Sequence, residues 1–521
     1  RGRLDARRTL KSLVADLRDM RNRYRYLIII AITVIVSGCS DWFDLKPQGI
    51  ANEENTPAGS YESQVFVIYG LMRDWGITAG LPALLVESVR SDDADKGSTA
   101  SDGSDQEAMY DNFQYLTSNE YLQRYWTTNY EVINRANTVI DAINQGPSVE
   151  TDSISKAEAR FFRAYAFFNL VRAFGDVPKI DFKVESPEET IIPKSPSSEI
   201  YTLIDNDLDF ATKYLPQSWP SQYLGRLTWG AAVALHARTY MMRSDWNNMY
   251  TLSKQVINSH LYNLDTPYEK IFREEGENSS ESVFELQCTA TDAMKQDTRI
   301  GSQIAEMQGV RGVGSWDLGW GWNVPTQSLY EEFEAGDPRR DETFLYVARG
   351  AGELSRIPAN KPWGEKPITG GDVISPYNNK KVYCSPELRT RYSLHGYWVN
   401  IRLIRYADVV LMAAESANEL GHTSEALDWL EMIRARARGT LKVLPKVTDT
   451  DLIRLRDAIR HERRVELGME YGRFYDLVRW DIASTVLGPK GYQTKHALLP
   501  IPQNEIDRCN GVLVQNPNYL Q

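Results

Sequence analysis

The chain has 521 residues, of which 42% are hydrophobic and 25% charged, a globular balance with room for several ordinary domains or one large helical one. Its formal charge is −11. Residues 1–38 hold nine Arg and Lys against three Asp, which leaves 50 basic against 67 acidic residues in the rest. That acidic body has no basic stripe, so repulsion from phosphates excludes binding to nucleic acid by general electrostatics.

The N-terminal region reads as an address. Arg21, Arg23 and Arg25 precede an apolar run, Leu27–Val36, broken only by Thr33, and Val36-Ser37-Gly38-Cys39 follows. This is the pattern of a secretory signal ending in a lipobox: small residues fit the signal peptidase groove, and the Cys39 thiol takes the diacylglycerol. The run is too short to span a bilayer, which needs about 20 residues. Residues 1–38 are therefore expected to be an upstream segment and signal peptide with the start at Met20, and 39–60 a lipidated, acidic tether.

Helical periodicity begins at 61–74, with Val65, Ile68 and Met72 on one face. The stretch 91–106, SDDADKGSTASDGSDQ, reads as a solvated acidic loop, and none of its spacings matches a calcium-binding loop. Long helices are expected over 120–145 and 156–174. The second, KAEARFFRAYAFFNLVRAF, carries aromatic residues on more than one side, as a helix packed from several directions would, and Gly175 and Pro178 end it. Amphipathic segments follow at 198–214, 228–242 and 246–259. From 262 to 399 the periodicity weakens amid Gly, Pro, Asn and aromatics, with a strand at 282–287. Apolar stripes return over Leu403–Ala417 and Ala426–Ala437, and a third helix over 451–467. Paired helices of this length with small residues at their contacts suggest tetratricopeptide-like stacking.

Catalytic signatures are missing. The six histidines form no HExxH pair, and the chain has no G-x-S-x-G elbow and no phosphate-binding G-x-x-x-x-G-K-[ST] loop. Carboxylates are abundant, but none stands out as the pair that glycoside hydrolysis requires. No cysteine pair has metal-ligand spacing, so no metal or cofactor is expected. Cys288, Cys384 and Cys509 are either free or include one bridge.

Several motifs in fixed order carry a family likeness. They are Lys156–Pro178, Gly225–Thr228 leading into AAVALHARTYM, Glu281–Gln287, and Pro325–Leu329 running on to Phe333 and Asp337-Pro338-Arg339. Ile404–Glu415, Arg460–Leu467, RFYDLVRW at 473–480, LLPIPQNEI at 498–506 and QNPNY at 515–519 complete the set. With the lipobox, the chain resembles the SusD/RagB family of Bacteroidetes outer-membrane lipoproteins over nearly all of 39–521. Asn518 stands where the family often has Gly. The resemblance implies a mostly α-helical SusD-like fold over 61–521, a single domain. Tetratricopeptide-like helix pairs form its scaffold, mainly 61–260 and 400–480. A loop-rich insert over 262–399, with a few short strands, forms the ligand-binding part. It also implies a surface-exposed lipoprotein that binds oligosaccharides, or peptides in the RagB branch, and delivers them to a SusC-like TonB-dependent transporter without cleaving them. A helical glycoside hydrolase or lyase is the reading from another class.

Sugars stack their C–H faces on aromatic rings and need polar partners at the edges. Gly309–Trp322, GVRGVGSWDLGWGW, offers Trp316, Trp320 and Trp322 among glycines, beside Arg311 and Asp317. Trp316 is the more open candidate. Trp320 is also a candidate, although its place just before the Pro325 motif favours packing for it and for Trp322. Trp75, facing a Gly-rich break after the first helix, is a second centre, and Trp363 and Tyr377 are weaker ones. Arg460, Arg463, Arg464, Glu466, Glu470, Arg473 and Asp476 mix signs at helical spacing. They read as an internal ion-pair network rather than a transporter contact.

Overall fold

The computed structural model describes residues 61–519, apart from 79, 147–149, 362, 372, 393 and 394. The readings that fall on 1–60, including Met20, the tether and Cys39, lie outside the described residues.

Helix α1, Glu62–Leu71, buries Val65 and Ile68. Helix α2, Glu120–Gln145, starts at Asn119, whose side chain accepts from the N–H groups of Tyr121 and Leu122. Helix α3, Glu150–Phe174, begins six residues before its expected start. Phe161, Phe162, Phe167, Phe168 and Phe174 are all buried, on opposite sides of the helix. That requires neighbours all round, and α3 has them in α2, α1 and α4, Ser197–Tyr214. The chain turns at Gly175 in the left-handed region (φ +74°), where an added Cβ would lie 2.8 Å from Leu498 Cδ1. Asn518 takes the same region (φ +66°), one of the few residue types to do so at low cost.

The stack continues through α5, Trp229–Met242, capped by Thr228, and α6, Trp246–Asn258. It resumes with α7, Tyr406–Glu419, which packs on α6, then α8, Thr423–Arg438, and α9, Leu452–Leu467. Each helix rests on its predecessor, as in tetratricopeptide-like pairs. The intervening stretch 259–405 is thus looped out from between two helices that touch. It carries most of the short strands, which pair antiparallel: β1 (Ala94–Gly97) with β3 (Trp322–Pro325), β2 (Ser282–Leu286) with β6 (Ile401–Arg405), and β4 (Phe344–Tyr346) with β5 (Tyr377–Asn379).

Two expectations are corrected. Leu403 does not open the helical stripe but lies in β6, because pairing with β2 keeps the backbone extended through Arg405. The acidic stretch 91–106 is solvated only in its second half. Ser91–Ala94 and Lys96–Ser98 are buried: β1 is zipped to β3, and the carboxylates of Asp92 and Asp93 meet guanidinium groups from α9 and from α10, Arg473–Arg479.

Those guanidiniums belong to an interior network centred on α9. Glu466, fully buried, receives Arg436 at 2.5 Å and Arg339 and Arg405 at 3.1 Å each. Glu462 receives Arg339 at 2.6 Å and Arg434 at 2.8 Å. Arg463 reaches Asp408 at 2.5 Å and Asp476 at 2.8 Å, and Arg464 reaches Asp93 and Glu332, each at 2.8 Å. The mixed-sign run is therefore internal in these members, and it ties the insert, the β2–β6 pair, α7, α8 and the 92–93 turn to one helix. Removing one partner of a buried pair strands the other's charge, at about 3–5 kcal/mol. Arg339→Ala should lower the unfolding free energy by about that much in a denaturant titration; a loss under about 1 kcal/mol would contradict the network.

Burial works to raise the pKa of Asp408, but Arg463 and Arg238 overcome it and hold the carboxyl well below the usual range. A depressed carboxyl contributes stability that is complete above its unfolded value of about 4 and is lost as pH falls below it. Asp408→Asn should therefore flatten the fall in melting temperature between about pH 5 and pH 2. An unchanged slope would remove Asp408 from the acid response.

Candidate functional site

The described tryptophans divide sharply. Trp320 and Trp363 are 36% and 40% exposed, both in the insert, and the others are buried or half-buried. Trp320 ends a loop whose backbone is pinned on both sides: its N–H donates to Glu306 O at 2.9 Å, and the N–H of Gly321 donates to Gly309 O at 2.8 Å. The indole is held at the surface by backbone bonds and carries no core. The packing expected for Trp320 and Trp322 thus holds for Trp322, which lies in β3 with Lys96 5.0 Å above its ring.

Trp316, expected as a ligand-binding ring with packing under the loop as the alternative, is 8% exposed. A tight turn over Gly314–Trp316 folds it inward among Val310, Leu318, Leu345 and Ile368. There it stacks on Tyr383, with centroids 5.8 Å apart and planes at 28°. Trp363 meets the same Tyr383 edge-on at 5.4 Å. Two of the candidates are thus joined through a tyrosine that sequence reading missed, and Trp316 supports the group while Trp363 faces solvent. Tyr377, half-buried, stacks on Tyr330 at 4.8 Å, its hydroxyl 3.0 Å from Gln327 Oε1.

Trp75 is half-buried and lies 5.7 Å from Tyr121. Tyr121 donates to Glu107 at 2.7 Å. Glu107 sits against Gly103, where an added Cβ would come within 2.3 Å of Glu107 Oε2 and 2.8 Å of Trp322 Cη2. A chain of contacts therefore runs from Trp75 through the 98–107 loop to the strand that follows Trp320. Polar edges lie along it. Arg311 Nη1 donates to Asp102 Oδ2 at 2.6 Å and to Ser98 Oγ at 2.7 Å, with Arg311 and Asp102 both well exposed. The Ser98 hydroxyl, and with it Arg311, holds the Asp102 carboxyl below its ordinary range, so it stays an acceptor. The loop is legible in sequence as acidic and Gly-rich, but nothing local signals its union with β3.

Elsewhere, a cavity of about 90 Å³ lies between α3, α5, β6 and α10. Its charges pair among themselves, Arg238 with Asp408 at 2.6 Å and Arg172 with Glu87 at 3.3 Å, so it belongs to the scaffold. Burial pushes the Glu277 carboxyl up to about 7, but that side chain accepts the Asn400 N–H at 2.8 Å and serves the β2–β6 region. Cys288, Cys384 and Cys509 are free, and burial pushes the first two up to about 12. Among the described residues no group of three or more His, Cys, Asp or Glu is placed to hold a metal ion, and no helix is long and apolar enough to cross a membrane.

Two family profiles match the chain, one described as the SusD family over residues 280–495 and one as starch-binding, associating with the outer membrane, over 48–241. The SusD-like protein P2 of Formosa agariphila is 29% identical and is covered along its whole length by 95% of this chain. A SusD-like protein of Bacteroides ovatus is 28% identical over 71% of this chain and 67% of its own length. Among solved structures, a laminarin-binding SusD-like protein superposes with a TM-score of 0.73 at 27% identity, over 88% of this chain and 99% of that one. Surface glycan-binding protein A of Bacteroides thetaiotaomicron, in complex with laminarihexaose, has the same fold at a TM-score of 0.72 and 23% identity, over 88% and 99%.

Proposed function

The chain belongs to the SusD/RagB family, and on that premise we propose that it is a non-catalytic glycan-binding protein of the cell surface. It is lipidated at Cys39 and passes oligosaccharides to a SusC-like TonB-dependent transporter in the outer membrane. The observation that carries the reading is the placement of the exposed indoles: Trp320 and Trp363 both stand on the insert, and the backbone at Trp320 and Gly321 is pinned by hydrogen bonds. A residue whose backbone is already fixed loses less freedom on binding, so more of the stacking energy appears as affinity. The Arg311–Asp102 pair beside the Trp320 loop supplies a donor edge and an acceptor edge for hydroxyls. A laminarin-binding relative at 27% identity makes a neutral β-glucan the first ligand to try.

A sugar ring that removes about 100 Å² of indole from water gains roughly 2–3 kcal/mol before binding costs. Such modest affinity suits a protein that must release its cargo. In calorimetry with laminarihexaose and other neutral oligosaccharides, Trp320→Ala should weaken binding about tenfold. Unchanged affinity would remove Trp320 from the site, and products released from a bound glycan would place the chain among enzymes.

A further inference from the structure

A second aromatic surface lies on the first part of the helical stack. Arg226, buried, is gripped by Glu158, which is fully buried: Nε to Oε1 at 3.0 Å and Nη2 to Oε2 at 2.7 Å. Its third nitrogen reaches Glu62. Aromatic rings fan around this fixed guanidinium, Trp219 at 3.9 Å, Phe66 at 5.1 Å and Tyr223 at 5.2 Å. Trp219 is locked further by its indole N–H, which donates to Leu227 O at 2.8 Å, and it meets Tyr223 edge-on at 5.9 Å. None of these rings fills the core. Phe66 is 41% exposed, Leu224 57%, and Trp219 and Tyr223 are half-buried.

Phe66 stands on α1, and the loop that carries Trp219, Tyr223 and Leu224, Leu215–Gly225, reads LPQSWPSQYLG. It contains no charged residue in a chain that is 25% charged, and Gln217, Ser218, Ser221 and Gln222 are all exposed. Pro216 and Pro220 restrict its backbone, and Ser221–Tyr223 forms a 3-10 turn. The Arg226 cation beneath the rings is paired with buried Glu158 and with Glu62, so no positive charge is left free there. The surface therefore combines aromatic rings with amides and hydroxyls on a loop without charged residues, and its one exposed charge is Glu62 at the edge. An acidic partner finds no unpaired cation among these residues and a basic one finds only Glu62, already engaged by Arg226, whereas a neutral saccharide finds stacking faces and uncharged hydrogen-bonding edges.

We propose that Phe66, Trp219, Tyr223 and Leu224 form a second saccharide-binding surface, separate from the Trp320 loop, that holds a neutral polysaccharide at another point along its length. The ligand class rests on the glycan-binding reading above. Two weak contacts on one long polymer act together, so the second surface should matter for polysaccharides more than for short oligosaccharides.

The test is affinity electrophoresis of the full chain in gels containing laminarin, starch, β-mannan or xyloglucan. Trp219→Ala, Leu224→Glu and Trp320→Ala would be compared with wild type, with melting temperatures as the folding check. Leu224 is exposed, so its substitution adds a charge to the surface without opening the core. The expected result is three- to tenfold weaker retardation for Trp219→Ala and for Leu224→Glu on the polysaccharide that retards wild type. Wild-type retardation in both variants, with loss in Trp320→Ala, would overturn the second surface and leave the first. No retardation of wild type by any of the four would overturn both readings. Wild-type retardation combined with lost association with an outer-membrane partner would make the surface a protein contact and also overturn the proposal.

Discussion

The fully buried carboxylate of Glu466 constrains everything else in this molecule. A lone carboxylate cannot stay ionised in such a place; three guanidiniums, from Arg339, Arg405 and Arg436, let it do so, and burial is outweighed so that its acid is held well below the ordinary range. Each of those arginines comes from a different part of the chain. Arg339 belongs to the insert, Arg405 to the strand that returns from it, and Arg436 to α8. The insert has few regular elements of its own, and this contact fixes its root to the helical stack. Glu462, Arg463 and Arg464 repeat the device one or more residues away, and through Asp92 and Asp93 they extend it to the turn that leads into the 98–107 loop.

A division of labour follows. The helical stack is apolar and ion-paired, with α3 enclosed on several sides, and it supplies rigidity. The insert, looped out between two touching helices, supplies surface. The Trp320 indole stands on short backbone bridges and Trp363 rests edge-on against Tyr383, so both rings stay exposed at the surface of the insert. The pairing of β1 with β3 joins a stretch before α2 to the strand that follows Trp320, and so brings Asp102 and the Trp320 loop together from points more than two hundred positions apart.

The helices were legible because their periodicity is local. Gly175 and Pro178 mark the stop of α3, and its aromatic surplus on several sides announces its burial. The ion network was legible as a mixed-sign run on α9, but its partners, Arg339, Arg405 and Asp92, were not, since charge pairing across such separations leaves no periodic trace. The same limit explains the tryptophans. Trp316 and Trp320 sit four residues apart in one Gly-rich loop, and their opposite burial depends on a single tight turn at Gly314 and on Tyr383, which arrives from far along the chain. Asp92 and Asp93 looked like solvent-facing acids because nothing beside them in sequence shows the guanidiniums that bury them.

The most direct test of a fixed scaffold presenting a preformed binding surface is amide hydrogen exchange on the full chain, with and without saturating laminarin. The account predicts added protection at 98–107 and 305–322, with exchange in α3 and α9 unchanged. Protection spread through α3 and α9, or none in the Trp320 loop while the glycan is demonstrably bound, would contradict it.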